Sequence, residues 1–230
     1  MWNRNIQEDI LFEDREILVC HKPAGLAVQN ARMGAMDMES ALKNYLAAKN
    51  PGQIPWLGVI HRLDQPVEGV IVFAKNQKAA AALNKQMTEG RIKKEYLAAT
   101  DRSPENKQGT LIDYLLKDGR KNLSAVVSEK TKGAKKAILS YKIEDEIKDN
   151  RTSSGKRCIV RISLETGRHH QIRVQMASAG MPLLGDRKYY PLDKSGYPLG
   201  LCSCKLSFIH PYNGKRMDFQ VKPKGEAFQL

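Results

Sequence analysis

The chain reads as an α+β protein with a mixed, mostly antiparallel central sheet flanked by helices. Short apolar runs of strand length are mixed with a few helical stretches, without the regular strand-helix alternation of a doubly wound fold. One run, GVIVFAK at 69–75, is unbroken in apolar residues and too short for an ordinary helix, as expected of a strand buried on both faces. Another, Cys158, Val160, Ile162 and Leu164, alternates with its neighbours at the strand period of two.

In chain order, EILVCHKPAGLAV at 16–28 predicts a strand that runs into a turn at Pro23 and Gly25. Asp37 is a candidate N-cap, and Met38, Ala41, Leu42, Tyr45 and Leu46 follow at helical spacing. The Pro- and Gly-containing loop NPGQIPWLG then delivers the chain to HRLD at 61–64, just before the buried strand. Asn76 caps a second helix, with Ala79, Leu83 and Met87 on one side and Gly90 closing its end. IKKEYLAA at 92–99 predicts a strand with Lys94, Tyr96 and Ala98 on one face. Residues 101–135, rich in Lys, Gly and Ser, read as a hairpin or mobile loops over a basic surface. Ala137, Leu139, Tyr141 and Ile143 restore a strand, 149–157 is a loop, and the strand at 158–164 follows. TGRHHQIRVQMASAG turns into a helix that Gly180 ends, and KLSFIH at 205–210 predicts a last strand.

At 230 residues the chain is long enough for one full core, so a single catalytic domain over 1–230, or two sub-lobes sharing a cleft, is expected. Its 41% hydrophobic and 27% charged residues and mean hydropathy of -0.49 are those of a soluble globular protein. No stretch approaches the roughly 20 apolar residues that cross a bilayer. The opening MWNRNIQEDILFED lacks a secretory pattern, so a cytoplasmic location and no membrane partner are expected. Cys20, Cys158, Cys202 and Cys204 are scattered, which suggests buried free thiols rather than a zinc site or a disulfide frame. The formal charge of +13 favours a polyanionic partner, without distinguishing RNA, DNA and a membrane surface.

Asp64 stands between a loop and a buried strand, where a cleft can open at a sheet edge. A neighbouring Arg62 favours its ionised form. On these residues alone a surface ion pair or a turn residue is the favoured reading.

HRLD followed by GVIVFAK, then KKEYLA, TGRHHQIR and GDRKYY in that order resembles the RluA-type family of pseudouridine synthases. The likeness runs from about Lys22 to Pro211 and begins with HKPAGLAV, which is similar to the family's KPAG segment. It implies a pseudouridine synthase fold with a basic active-site cleft, an isomerase that needs no cofactor and no metal, and structured RNA, ribosomal or transfer, as partner. It further implies that Asp64 attacks or deprotonates at C1′ or C2′ of a uridine, whose base is cut loose, turned and rejoined through C5. Arg173 matches the family arginine that pairs with the catalytic carboxylate, and Tyr96 the tyrosine that stacks on the flipped uracil and assists loss of the C5 proton. Arg62 resembles the arginine that enters the RNA helix as the uridine leaves. Leu184 resembles the apolar wall behind the base, with a plain core role as the other reading.

His61 is placed with the substrate-binding residues, with a role in holding the turn as its alternative. Arg168, His169 and His170 are candidates for gripping phosphate near a helix start. Lys22, Lys93, Lys94, Arg187 and Lys188 are assigned to contacts with the RNA backbone.

Two departures from the family pattern stand out. Where the family continues HRLD as xxTSG, this chain has QPVEG, with Val67 and Glu68 in place of Thr and Ser; where many relatives have LHA, it has LCS at 201–203. The first puts substrate fit at that loop in question. The chain also begins almost directly at the first catalytic-domain strand, so no small N-terminal RNA-binding domain of the S4-like kind is expected, and a monomer is the default. A catalytically degenerate RNA-binding protein of the same fold is the alternative from another class. A metal-dependent nuclease is disfavoured, since HRLD supplies one carboxylate where clustered ones are needed.

Overall fold

The computed structural model describes residues 5–30 and 34–229. In chain order its elements are β1 (Ile10–Glu13), β2 (Ile17–Lys22), α1 (Met38–Lys49), β3 (Gly58–Val59), β4 (Glu68–Ala74), α2 (Gln77–Thr88), β5 (Lys93–Thr100), β6 (Gln108–Asp118), β7 (Leu123–Val127), β8 (Lys135–Lys148), β9 (Lys156–Leu164), α3 (Gln171–Ser178), β10 (Leu201–Ile209) and β11 (Arg216–Gln220). The α+β class holds, with three α-helices among the described residues and antiparallel strand pairing throughout β1–β2–β4 and β5–β9–β8–β6–β7. The chain divides into two compact units, Met1–Lys93 with Ser203–Lys222, and Lys94–Cys202 with Pro223–Leu230.

The first unit orders its strands β1-β2-β4-β10, with β3 beside β4 and β11 beside β10. Every residue of β2 and β4 is buried, as the unbroken apolar run predicts. One face carries Leu18, Cys20, Ile71 and Phe73 against Met38, Leu42 and Leu46 of α1. The other carries Ile17, Val19, Val70 and Val72 against Ala79 and Leu83 of α2, with Leu206 and Phe208. Both helices start where a side chain supplies an acceptor: Asp37 takes the Ser40 N–H at 2.8 Å, and Asn76 takes that of Ala79 at 2.9 Å. Gly69 cannot be another residue, because its φ is +127° and a Cβ there would lie 2.3 Å from the Ser203 carbonyl oxygen.

The second unit orders its strands β5-β9-β8-β6-β7 and carries α3. Of the two readings of residues 101–135, the hairpin holds: β6 pairs antiparallel with β7, and many of their residues are exposed, including Ile112 at 58%. Solvated strand residues lack the apolar alternation that marks a buried strand, which is why the sequence there leaves hairpin and loop side by side. The strands β1 and β11 are four and five residues long, too brief for periodicity alone to mark them. Among the described residues, no helix is long and apolar enough to cross a membrane. All four cysteine side chains are buried.

Candidate active site

Asp64 sits on a tight turn that leads into β4. Its carbonyl accepts the Val67 N–H at 3.0 Å, while buried Leu63 and Val67 anchor the turn from beneath and leave Arg62, Gln65 and Pro66 exposed. The carboxylate residue itself is half-buried. Behind the turn, His61 accepts the Val72 N–H on Nε2 at 3.4 Å, which ties HRLD to β4 and favours the turn-holding reading of that ring.

The turn is also stapled to the KPAG loop. The Gly25 N–H donates to the Gln65 carbonyl at 2.9 Å, and Gln65 Nε2 donates back to the Gly25 carbonyl at 3.0 Å. Lys22 completes the staple, its Nζ donating to the carbonyls of Pro23 at 2.9 Å, Leu26 at 2.7 Å and Gln65 at 3.1 Å. This corrects the assignment of Lys22 to the RNA backbone: the side chain is wholly buried and its three N–H groups are matched by three carbonyls. Burial pulls its pKa down to about 7, against the opposing pull of the Asp64 and Glu68 charges. Val67 and Glu68, the residues that depart from the family pattern, are 3% and 5% exposed. The altered loop therefore changes the support of the turn, not its outer surface.

In the second unit, Tyr96 is buried on β5 opposite Ile162. Lys94, on the same strand, is half-buried, with Nζ lying over Gly167 and its pKa lowered by burial. The TGRHHQ segment is shaped by Gln171, whose Oε1 accepts from Thr166 Oγ1 at 2.8 Å and from the Arg168 N–H at 2.9 Å. That fold-back turns the chain into α3 and buries Arg173 on its first turn.

Arg173 grips Asp186 in a planar fork, Nε to Oδ2 at 2.8 Å and Nη2 to Oδ1 at 2.6 Å, with both side chains almost completely buried. Asp186 also accepts the backbone N–H groups of Lys188 and Tyr189, at 3.1 and 3.3 Å. It is the site residue that sequence reasoning missed. Its signal was present in GDRKYY, but an aspartate after glycine reads as a turn former until its guanidinium partner is known.

The two histidines are stacked at 3.8 Å and bonded within the protein. His169 joins Ser124 Oγ at 2.9 Å and Asn122 Oδ1 at 3.0 Å, and His170 Nδ1 joins the Tyr189 hydroxyl at 2.8 Å. Among the described residues no group of three or more His, Cys, Asp or Glu is placed to hold a metal ion. Arg168 is exposed, with Nε on the Lys136 carbonyl at 2.8 Å, and exposed Lys188 reaches the Asn122 carbonyl at 2.7 Å. Lys93 and Arg187 are exposed. Leu184 is a core residue, packed with Ala99, Tyr197 and Ala227 and without solvent exposure.

The fold is that of the pseudouridine synthases: the solved human RNA pseudouridylate synthase domain containing 4 superposes with a TM-score of 0.75 at 21% identity, covering 95% of this chain and 90% of that one. The sequence profile of the RNA pseudouridylate synthase family matches residues 16–178, which include the Asp64 turn, Tyr96 and Arg173. The chain belongs to this family, in its RluA type, and with it to the isomerases. It is 32% identical over 235 residues to ribosomal large subunit pseudouridine synthase D of Zymomonas mobilis, and 34% identical over 203 residues to an uncharacterised RNA pseudouridine synthase of Bacillus subtilis. Those alignments cover 95% and 88% of this chain, and 70% and 64% of the two relatives.

Proposed function

We propose that this chain converts specific uridines of ribosomal or transfer RNA to pseudouridine, with Asp64 as the essential carboxylate. In that reaction the N1–C1′ bond breaks, the uracil turns in place, a C5–C1′ bond forms, the C5 proton leaves and N1 gains one. Asp64 acts at C1′ or C2′ while the base is loose. Tyr96 stacks on the uracil and assists loss of the C5 proton, and Arg173, fixed in place by Asp186, is the cation offered to the carboxylate. Arg62, exposed beside Asp64, enters the RNA helix in place of the flipped nucleotide. Arg168, Lys94 and Lys188 contact the RNA backbone. No cofactor or metal is assigned a step, and a monomer in the cytoplasm is the simplest working form.

The observation that carries this reading is the match of one family profile across the Asp64, Tyr96 and Arg173 segments together. The named relative of Zymomonas mobilis supports ribosomal RNA as the first substrate to try. A clamp that only gripped RNA would need positive charge and no carboxylate on a stapled turn, so the degenerate alternative gains nothing from this site.

Release of tritium from RNA labelled at uridine C5, run with a chelator present, tests the reading. Product is expected from the wild-type chain and none above background from Asp64→Ala at unchanged melting temperature. Release that depends on added Mg²⁺, or survives Asp64→Ala, contradicts it. With a formal charge of +13, RNA affinity should also fall at least tenfold between about 50 and 200 mM salt, and a flat response removes the phosphate-contact part of the proposal.

A further inference from the structure

Glu68 stands where the family pattern carries a serine, and it is almost fully buried at the start of β4, four residues after the carboxylate read as catalytic. A carboxylate in that position needs a counter-charge, because an isolated buried anion is strongly disfavoured. Across the strand pair the structure sets an imidazole beside it. His21 Nε2 lies 3.3 Å from Glu68 Oε2, each side chain 6% exposed, and that nitrogen has no hydrogen-bond partner. The strand register explains the meeting: His21 faces Val70 and Lys22 faces Gly69, so Glu68 is the diagonal neighbour of His21 on one face of the sheet, and Lys22 projects to the other.

Lys22 connects this pair to the turn. Its three N–H donors hold the carbonyls of Pro23, Leu26 and Gln65, and only the ammonium form has three protons to give. The neutral amine would turn a lone pair on one of those oxygens. Burial works against the ammonium, and the charged groups that favour it are Asp64 on the turn and Glu68 on β4. The serine of the family pattern would contribute no charge here.

We infer that Glu68 is a positioning residue for Asp64: its buried carboxylate, set beside His21 at the start of β4, keeps the Lys22 staple closed on the Asp64 turn. The inference rests on the reading of Asp64 as the catalytic carboxylate, but the staple itself can be tested without turnover.

In the full chain, Glu68→Gln and Glu68→Ser are expected to lower kcat about tenfold with KM for RNA within about twofold, as displacement of a reacting group does. Removing an anion makes the Lys22 ammonium easier to deprotonate, so the alkaline limb of the kcat profile should move to lower pH in both variants. Glu68→Asp should keep kcat within about threefold and move the limb less. By hydrogen exchange, the Gly25 and Val67 amides should open on the order of tenfold faster in Glu68→Gln, since their acceptors belong to the stapled turn. Unchanged kcat, pH limb and amide protection would overturn the positioning role and leave the synthase reading intact. Faster amide exchange in a chain whose wild type modifies no RNA would retain the staple and remove the synthase reading. If Glu68→Gln and Glu68→Ser do not fold, the limb of Glu68→Asp decides, and a limb that stays in place overturns the proposal.

Discussion

Lys22 in the first unit and Arg173 in the second are both buried cations near residues of the proposed chemistry, and the protein keeps them by different means. Arg173 has a full counter-charge in a matched fork with Asp186. Lys22 has three backbone carbonyls, which are dipoles, and two carboxylates that act on it through the electric field. A guanidinium stays charged at any pH a protein survives, so the Arg173 fork is permanent. The Lys22 staple is conditional, because its charge is close to balance at neutral pH. A fixed ion pair gives this fold a rigid anchor, whereas a dipole-solvated ammonium gives it a joint that responds to its surroundings.

The difference can be broken by deleting each cation in turn. Arg173→Met should lose roughly 3–5 kcal/mol of folding stability, since it leaves Asp186 buried and uncompensated. Denaturant titration reads this directly, and a loss below about 1 kcal/mol would mean that the fork is not a stability element. Lys22→Met should behave otherwise. It takes the Lys22 donors from the Pro23 and Leu26 carbonyls, leaves that of Gln65 on the Gly25 N–H, and also removes a costly buried charge, so stability should change by less than about 2 kcal/mol. Its kcat should still fall on the order of a hundredfold, because the Asp64 turn loses its staple. Equal stability losses in the two variants would erase the distinction.

The smallest effect concerns pH. The folded-state pKa of Lys22, about 7, lies below the ordinary 10.5, so between those values the unfolded chain binds more protons than the native one. Stability from this group therefore rises as pH increases from about 7 towards 10.5, and is lowest when Lys22 is charged in both states. Denaturant midpoints measured at several values across that window should climb less in Lys22→Met than in the wild type. A wild-type slope no steeper than that of the variant would show that Lys22 titrates normally.

Much of the fold was legible because burial leaves a pattern. GVIVFAK could only be a strand covered on both faces, and Asp37 and Asn76 announced helix starts that the structure confirms. At 101–135 composition left hairpin and mobile loops side by side, because a solvated strand needs no apolar alternation, and the pairing of β6 with β7 decides for the hairpin. At the site, the order of the blocks placed Asp64, Tyr96 and Arg173 in one family profile, but polarity misled at Lys22. A lysine beside a Pro-Ala-Gly turn reads as surface, and nothing local says that three carbonyls will converge on it.

Residue type and order alone determined the fold class, the family and the chemical identity of the candidate carboxylate, since these depend on periodicity and on short motifs in sequence. Tertiary structure decided which group each buried polar side chain meets: Asp186 against Arg173, His21 beside Glu68, the Pro23, Leu26 and Gln65 carbonyls on Lys22. The reason is that the energy of a charge is set by groups within a few ångströms in space, and those groups come from positions far apart along the chain.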